Sequence, residues 1–400
     1  MENHIEIRQT PFEFTTKEDE INIRVLLLGG GLQAMSAAYS LKRHGYSTIC
    51  IGSVHDECRK FRYIDHFLSI PHSMDSSEYT QELIHTIQSF DARIIIPMSD
   101  KAAEYICSHR KVLSEAQCLF ATPSLSVFMQ GTDKAQFMEF CEKYGFSHPR
   151  TKALNDNNLS EAAAYVGFPA LIKPNRSVGA RGIQLVHSME ELKEKYPGVL
   201  QNYGESTLQE YVDVENLPYY NVMLYRNHKG EILGYCIIEI LRYYPIKGGS
   251  SSLCRTIEKP DLLAECTAVL NKLNWVGMAD FDVLINQAGE YKIIEINPRV
   301  PASLRAADIA GVNFPLIMCC DLLGEPLPIV HYKTNMYLRY FGLDVIWFLA
   351  SPKRFSSRPS WFCSFGRNYY FQDVYASAPG TWYRWLTEGF QRYLVKRKHI

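Results

Sequence analysis

Apolar and polar positions fall into blocks along the chain, and each block predicts an element. The run "IRVLLLGGG" from Ile23 is apolar throughout and ends in glycines, the pattern of a buried strand entering a tight turn. The stretch "LQAMSAAYSLKRHG" follows with helical spacing, and "STICIGS" completes a βαβ opening. Further on, "ARIIIPMSD" reads as a second buried strand with polar residues at its carboxyl end, the edge at which open α/β sheets place ligands. The pattern changes around Thr122. There "TDKAQFMEFCEKYG" predicts a helix capped by Thr132 or Asp133, and "FSHPRTKALNDNN" leads into hairpins and short helices, so the first domain boundary is placed there.

Composition narrows the class. The chain has 400 residues, 46% hydrophobic and 21% charged, enough to bury sizeable cores in two or three domains. A formal net charge of -1 gives no overall argument for nucleic acid, although basic residues outnumber acidic ones from His331 onward. Eleven cysteines, an odd number with no C-x-x-C pair, fit reduced thiols in a cytoplasm. The start "MENHIEIRQTPFEF" lacks the basic and apolar regions of a secretory signal. The apolar segment "MYLRYFGLDVIWFLA" contains Arg339 and Asp344 and is too short for a membrane span.

Three stretches carry candidate chemistry. In "GMADFDVLINQAGEYKIIEINPR" two strand-like runs flank a turn containing Gly289. If Asn286 and Tyr291 close that turn, the register sets Asp282 opposite Glu295 and Asp280 opposite Asn297. Like charges directly opposite destabilise a sheet, and a cation between them reverses the penalty. Magnesium, which takes one or two carboxylates and completes its shell with water and phosphates, suits such a pair. Arg299 shares the face by the two-residue period and can hold an anion beside the metal. A solvated strand edge is the competing reading. The stretch "FPALIKPNRSVGARGIQLV" offers a strand with Lys173 and then a loop with Gly179, Arg181 and Gly182; either it cradles phosphate or it is an ordinary glycine-rich hairpin. No P-loop string is present. Third, "LQEYVDVE" provides an extended segment able to meet an adenine edge, ahead of the carboxylate of Glu215. At the opening, Gly29-x-Gly31-x-x-Ala34 has dinucleotide spacing, but the second strand ends at Ser53 rather than at a ribose-binding acid, which favours a structural or substrate-binding turn.

In this order the stretches "RVLLLGGG", "TDKAQF", "LIKPNRSVGARGI", "LQEYV", "FDVL" and "IIEINPR" resemble an ATP-grasp enzyme over roughly Ile23 to Pro315, with the E-x-N-x-R spacing close to that of biotin carboxylase and carbamoyl phosphate synthetase. The resemblance implies a Rossmann-like α/β domain preceding two α+β lobes that close on ATP. The expected division is a polar lead-in over 1–22, the α/β domain over 23–125, the ATP-grasp domain over 126–330 with its small lobe at about 150–212, and an aromatic, basic extension over 331–400. It implies that Lys134 and Lys173 contact ATP phosphates and that the loop from Ser177 through Gly179 and Arg181 to Gly182 closes over the triphosphate. Gln209, Glu210, Tyr211 and Val212 would form the adenine hinge, with Glu215 at the ribose. Asp282, Glu295 and Asn297 would bind magnesium, for which manganese can substitute, and Arg299 would steady an acyl phosphate. Lys247 or Arg255 would act near the γ-phosphate. Asp282 stands where many relatives carry Glu. The implied reaction is ATP-dependent ligation of a small-molecule carboxylate to an amine; a small-molecule kinase and a non-catalytic ATP-binding protein are the alternatives.

The tail lies beyond the resemblance. Trp382, Leu386 and Phe390 recur at helical spacing beside Arg384, Arg392 and Lys396 to Lys398, which predicts a basic amphipathic helix. Packing on the lobes, attachment to an anionic membrane or protein partner, and nucleic-acid binding are its readings, with no nucleic acid expected for the protein as a whole. A homodimer is the remaining partner expectation.

Overall fold

The apolar runs form strands, and their alternation decides which core each residue enters. The computed structural model describes residues 23–176, 181–214, 217–246, 249–363 and 365–372. Among these, three sheets carry the architecture. The first is parallel, in the order β3-β2-β1-β4, from β1 (Arg24–Leu28), β2 (Ser47–Ile51), β3 (His66–Leu68) and β4 (Ala92–Pro97). Val25 and Leu27 of β1 face the helix Gly31–Lys42, while Leu26 and Leu28 face the helices Ser77–Ser89 and Asp100–Ser108. Burial on both faces accounts for the unbroken apolar run.

The second sheet is antiparallel, in the order β5-β8-β6-β7, from β5 (Thr151–Ala153), β6 (Ala170–Pro174), β7 (Gln184–Val186) and β8 (Ser206–Glu210). Helices Leu159–Val166 and Met189–Tyr203 bury Ala162, Val166, Leu192 and Tyr196 against it.

The third sheet has seven strands in the order β13-β12-β9-β10-β11-β14-β15: β9 (Tyr219–Arg226), β10 (Ile232–Tyr244), β11 (Ser250–Ile257), β12 (Gly277–Ile285), β13 (Tyr291–Asn297), β14 (Tyr337–Arg339) and β15 (Tyr369–Phe371). On one face Met223, Tyr225, Ile238 and Ile240 share a core with the helices Leu304–Ile309 and Phe314–Leu323 and with the helix Gly31–Lys42 of the first sheet. On the other, Val222, Leu224, Phe281 and Val283 meet the helices Lys134–Tyr144 and Pro260–Leu273. The last two strands, with the helix Phe341–Ala350, belong to the C-terminal extension. There Asp344, fully buried, takes ion pairs from Arg242 (3.0 Å) and Arg339 (2.7 Å) and a hydrogen bond from Ser252 Oγ (3.1 Å).

The cysteines are free thiols, ten of them buried and Cys363 exposed. Among the described residues no helix is long and apolar enough to cross a membrane. The predicted amphipathic helix around Trp382 to Phe390 lies outside the described residues.

Candidate active site

The β12–β13 hairpin sets the site. Asp282 pairs with Glu295 and Asp280 with Asn297, the predicted register, but the turn closes at Ile285 and Tyr291 rather than at Asn286 and Tyr291. A bulge between Asp282 and Val283 makes up the one-residue difference. Its effect is visible in the burial. Ile293 pairs with Val283 in the apolar core, whereas Glu295, only two residues on, turns to the opposite face beside Asp282. Across the sheet, Asn221 of β9 lies opposite Asp282, giving a row Asn221–Asp282–Glu295, and Met223–Asp280–Asn297 forms the next row.

Cations surround the acids. Asp133 caps its helix by accepting from the amides of Ala135 and Gln136, both at 3.0 Å, which fixes Lys134 at the first helical position. The Lys134 ammonium stands 3.7 Å from the Glu295 carboxylate. Lys173, at the end of β6, is buried and donates to Gln209 Oε1 at 2.7 Å, while Gln209 donates to Thr151 Oγ1 at 3.0 Å. Arg299 donates to Asn297 Oδ1 at 3.2 Å and pairs at 3.2 Å with Asp100, which follows β4. Thus Lys134, Lys173, Asp282, Glu295, Asn297 and Arg299 come together from four separate parts of the chain.

Burial and like charge strain the ionised acids. Burial, the Glu295 charge and a hydrogen bond donated to Glu295 push the Asp282 carboxyl well above the usual range. Burial also works to raise Glu295, but Lys134, the Asp282 hydrogen bond, Lys173 and Arg299 together hold it low. The pair therefore favours one shared proton. Asp280 is pushed up to about 7, chiefly by burial, with Glu295 and Asp100 adding to it and Arg299 opposing. Its Oδ1 is buried without a hydrogen-bond partner. Burial brings the Lys173 ammonium down to about 8. A divalent cation fits this donor set, because it would replace the shared proton and relieve the facing charges. Among the described residues no group of three His, Cys, Asp or Glu side chains forms a complete metal cage. Two carboxylates and an amide match magnesium, which leaves coordination positions to phosphates and water.

Other predicted residues are arranged differently. Arg255 lies opposite Glu239 on β10, which lies opposite Tyr220 on β9, so it occupies the apolar-core face rather than the face of the acids. It is held there by a 2.5 Å ion pair with Glu239. The role expected for Arg255 near the γ-phosphate is therefore corrected: alternation turns its side chain away. In the expected hinge, the Glu210 amide donates to Arg150 O (2.8 Å) and the Tyr211 amide to Pro169 O (3.2 Å), so neither is left for a ligand. The Glu210 carboxylate pairs with Arg150 at 3.2 Å, and Gln209 and Val212 are buried. Gly182 has φ +76, and a Cβ there would meet the Tyr203 ring at 2.7 Å. Ser177, Gly179, Glu215 and Lys247 lie outside the described residues.

Sequence reasoning assigned no role to Asp100, Tyr219 or Asn221. Asn221 hydrogen-bonds Asp282, and Tyr219 bonds the same carboxylate. The alternation in "YYNVML" is the signal for Tyr219 and Asn221, and it needs the sheet order to be read; Asp100 stands at the polar carboxyl end of "ARIIIPMSD". At the glycine turn after β1, Gly29 and Gly31 have positive φ, and a Cβ on Gly30 would collide with the Asp56 carboxylate. Asp56 also accepts from the Ser53 amide at 2.6 Å. The chain's own carboxylate thus packs against the glycine turn.

Comparison with known proteins follows the same lines. Residues 131–303 match the ATP-grasp domain. The acetyl-CoA carboxylase of Dictyostelium discoideum is 26% identical over 184 residues, 45% of this chain and 8% of that protein. The carbamoyl phosphate synthase large chain of Clostridium perfringens is 24% identical over 221 residues, 51% of this chain and 20% of the relative. The match thus spans a fifth or less of the length of these curated relatives. Among solved structures, the biotin carboxylase domain dimer of Hydrogenobacter thermophilus 2-oxoglutarate carboxylase, in complex with MgADP, ADP and bicarbonate, superposes with a TM-score of 0.65 at 18% identity, covering 78% of this chain and 73% of that one. An ADP complex of N5-carboxyaminoimidazole ribonucleotide synthetase gives 0.63 at 16% identity, covering 85% and 88%.

Proposed function

We propose, from the premise that this is an ATP-grasp protein, that it is a magnesium-dependent ligase which activates a small-molecule carboxylate as an acyl phosphate for attack by an amine. The observation that carries this reading is the facing pair Asp282 and Glu295, set on one sheet face with Lys134, Lys173 and Arg299 around it. Asp282, Glu295 and Asn297 would hold the metal, whose charge neutralises the terminal phosphates of ATP. Lys134 and Lys173 would present ammonium groups to the phosphates from two different elements. Gln209 orients Lys173, and Val212 with the adjoining backbone offers the adenine edge a buried wall.

A carboxylate is a poor electrophile because its charge is delocalised. Transfer of the γ-phosphoryl group to one of its oxygens forms a new O–P bond, breaks the β–γ bridge and releases ADP; attack by the amine then expels inorganic phosphate. Arg299 would supply a planar pair of donors to the acyl phosphate. Asp100 and Asn297 already fix its guanidinium, so little side-chain entropy is left to lose. The bound acid, the amine and copies of the chain are the expected partners. The test is product analysis with mixtures of acids and amines. The expected result is ADP and phosphate only when both substrates are present, with one oxygen-18 from labelled carboxylate appearing in the phosphate. AMP and pyrophosphate would sink the assignment; a stable phosphorylated product that needs no amine would make the protein a kinase.

A further inference from the structure

The C-terminal extension presents a surface that the ligase reading leaves unused. From Val345 to Gln372 the sequence carries Lys353, Arg354, Arg358 and Arg367 and no acidic residue. Of the two acids that flank it, Asp344 is fully buried between Arg242 and Arg339 and Asp373 lies outside the described residues, so among the described residues the charge this segment shows to solvent is entirely positive. Beside these cations stand apolar side chains that most folded proteins would bury: Phe355 at 77% exposure, Phe362 at 57%, Phe365 at 53% and Leu349 at 43%.

These rings are held in place. Phe355 and Phe362 lie parallel with centroids 6.4 Å apart, and both meet Phe348 edge-on, at 5.6 and 5.5 Å. Phe348 rests on Trp361 at 4.7 Å, whose indole N–H donates to Asp344 O. Arg339 underlies both Trp361 and Phe365, at 4.6 and 4.9 Å from the ring centroids. Between the rings, the Arg354 guanidinium and the Lys353 amide bond to Ser351 and order the intervening turn. The exposed phenylalanines therefore form an ordered ridge, braced from beneath by the buried ion pairs.

We propose that the ridge of Leu349, Phe355, Phe362 and Phe365, with Lys353, Arg354, Arg358 and Arg367 around it, docks on an anionic lipid bilayer. Phenylalanine brings no hydrogen-bonding group, so its partner must offer an apolar interior, while the surrounding cations demand negative charge beside it. A bilayer interface supplies both within one thickness of the headgroup layer. A second copy meeting the same face would set these cations against each other. The segment from Trp382 to Lys398 is itself basic, with Glu388 its one acid, and is similarly mismatched.

The experiment is flotation of the full-length protein with phosphatidylcholine vesicles, with and without phosphatidylserine. Binding only to the phosphatidylserine vesicles, reversed by about 1 M salt, is expected. The double variant Phe355→Ser with Phe362→Ser, and separately Lys353→Glu with Arg358→Glu, should each lower binding by roughly tenfold or more with unchanged melting temperatures. No flotation of the unaltered protein would overturn the proposal. So would undiminished flotation of both variants, which would assign binding elsewhere in the chain. A variant that instead changes the molar mass in light scattering, with flotation unaltered, would make the ridge a contact between copies and would also overturn it.

Discussion

Two regions of this molecule bury charge, and they do so in opposite ways. Around Asp344 the account is closed: two guanidiniums and a hydroxyl surround one carboxylate, an indole bonds its main-chain carbonyl, and aromatic rings cover the arginines. Around Asp282 the account is open. Four carboxylates, Asp100, Asp280, Asp282 and Glu295, face Lys134, Lys173 and Arg299, and an oxygen of Asp280 is buried without a partner. A closed cluster supports stability. An open one is a cost that persists where a ligand is to complete it.

That contrast breaks most visibly at Asp344. Asp344→Ala should lower stability by about 3–5 kcal/mol by leaving two buried cations uncompensated, and chemical denaturation will measure it. Glu295→Gln should act mainly on chemistry. Turnover falls by roughly two orders of magnitude, while stability falls by no more than about 1 kcal/mol, because relief of the facing acid offsets most of the lost attraction of Lys134, Lys173 and Arg299. A magnesium titration of the kinetics alongside a melting curve reads both, and unchanged kinetics would remove Glu295 from the metal site.

Lys173 sharpens the comparison through pH. Burial lowers its folded-state pKa to about 8, so its charge fades as pH rises past that value. The value of kcat/KM for ATP should then decline, by about tenfold per pH unit at the limit, and Lys173→Arg should move that limb to higher pH. Stability runs the other way. Between pH 8 and the ordinary lysine range the unfolded chain binds more protons than the folded one, so this group's contribution to stability rises with pH. Activity lost while stability is gained would separate Lys173 titration from simple unfolding. The smallest effect is expected at Arg255, whose partly exposed pair with Glu239 lies on the far side of the sheet. Arg255→Ala should change kcat/KM by less than about twofold; a large loss would return it to the site.

The sequence made the central hairpin legible because both of its strands are local and its acids alternate. The apolar runs of β1 and β4 were equally readable, being buried on both faces. Cross-sheet neighbours were not: Asn221 reaches Asp282 across 61 positions of chain, and nothing in a local period specifies which strand lies beside which. Arg255 failed for a related reason. The resemblance implied a cation from this stretch near the γ-phosphate, but one step of alternation decides the face, and the strand order that fixes it is tertiary. The engaged amides of Glu210 and Tyr211 likewise depend on Arg150 and Pro169, which belong to other segments.

The bulge on β13 works as a phase shifter. On its turn side, Ile293 keeps step with Val283 and the apolar core; on its far side, Glu295 keeps step with Asp282, and the two halves run out of phase by one residue. Losing the bulge with the acids left in place would pair Ile293 with Leu284 and turn it out of the apolar core, so one extra residue lets a single hairpin serve the core at its turn end and the row of acids at the other.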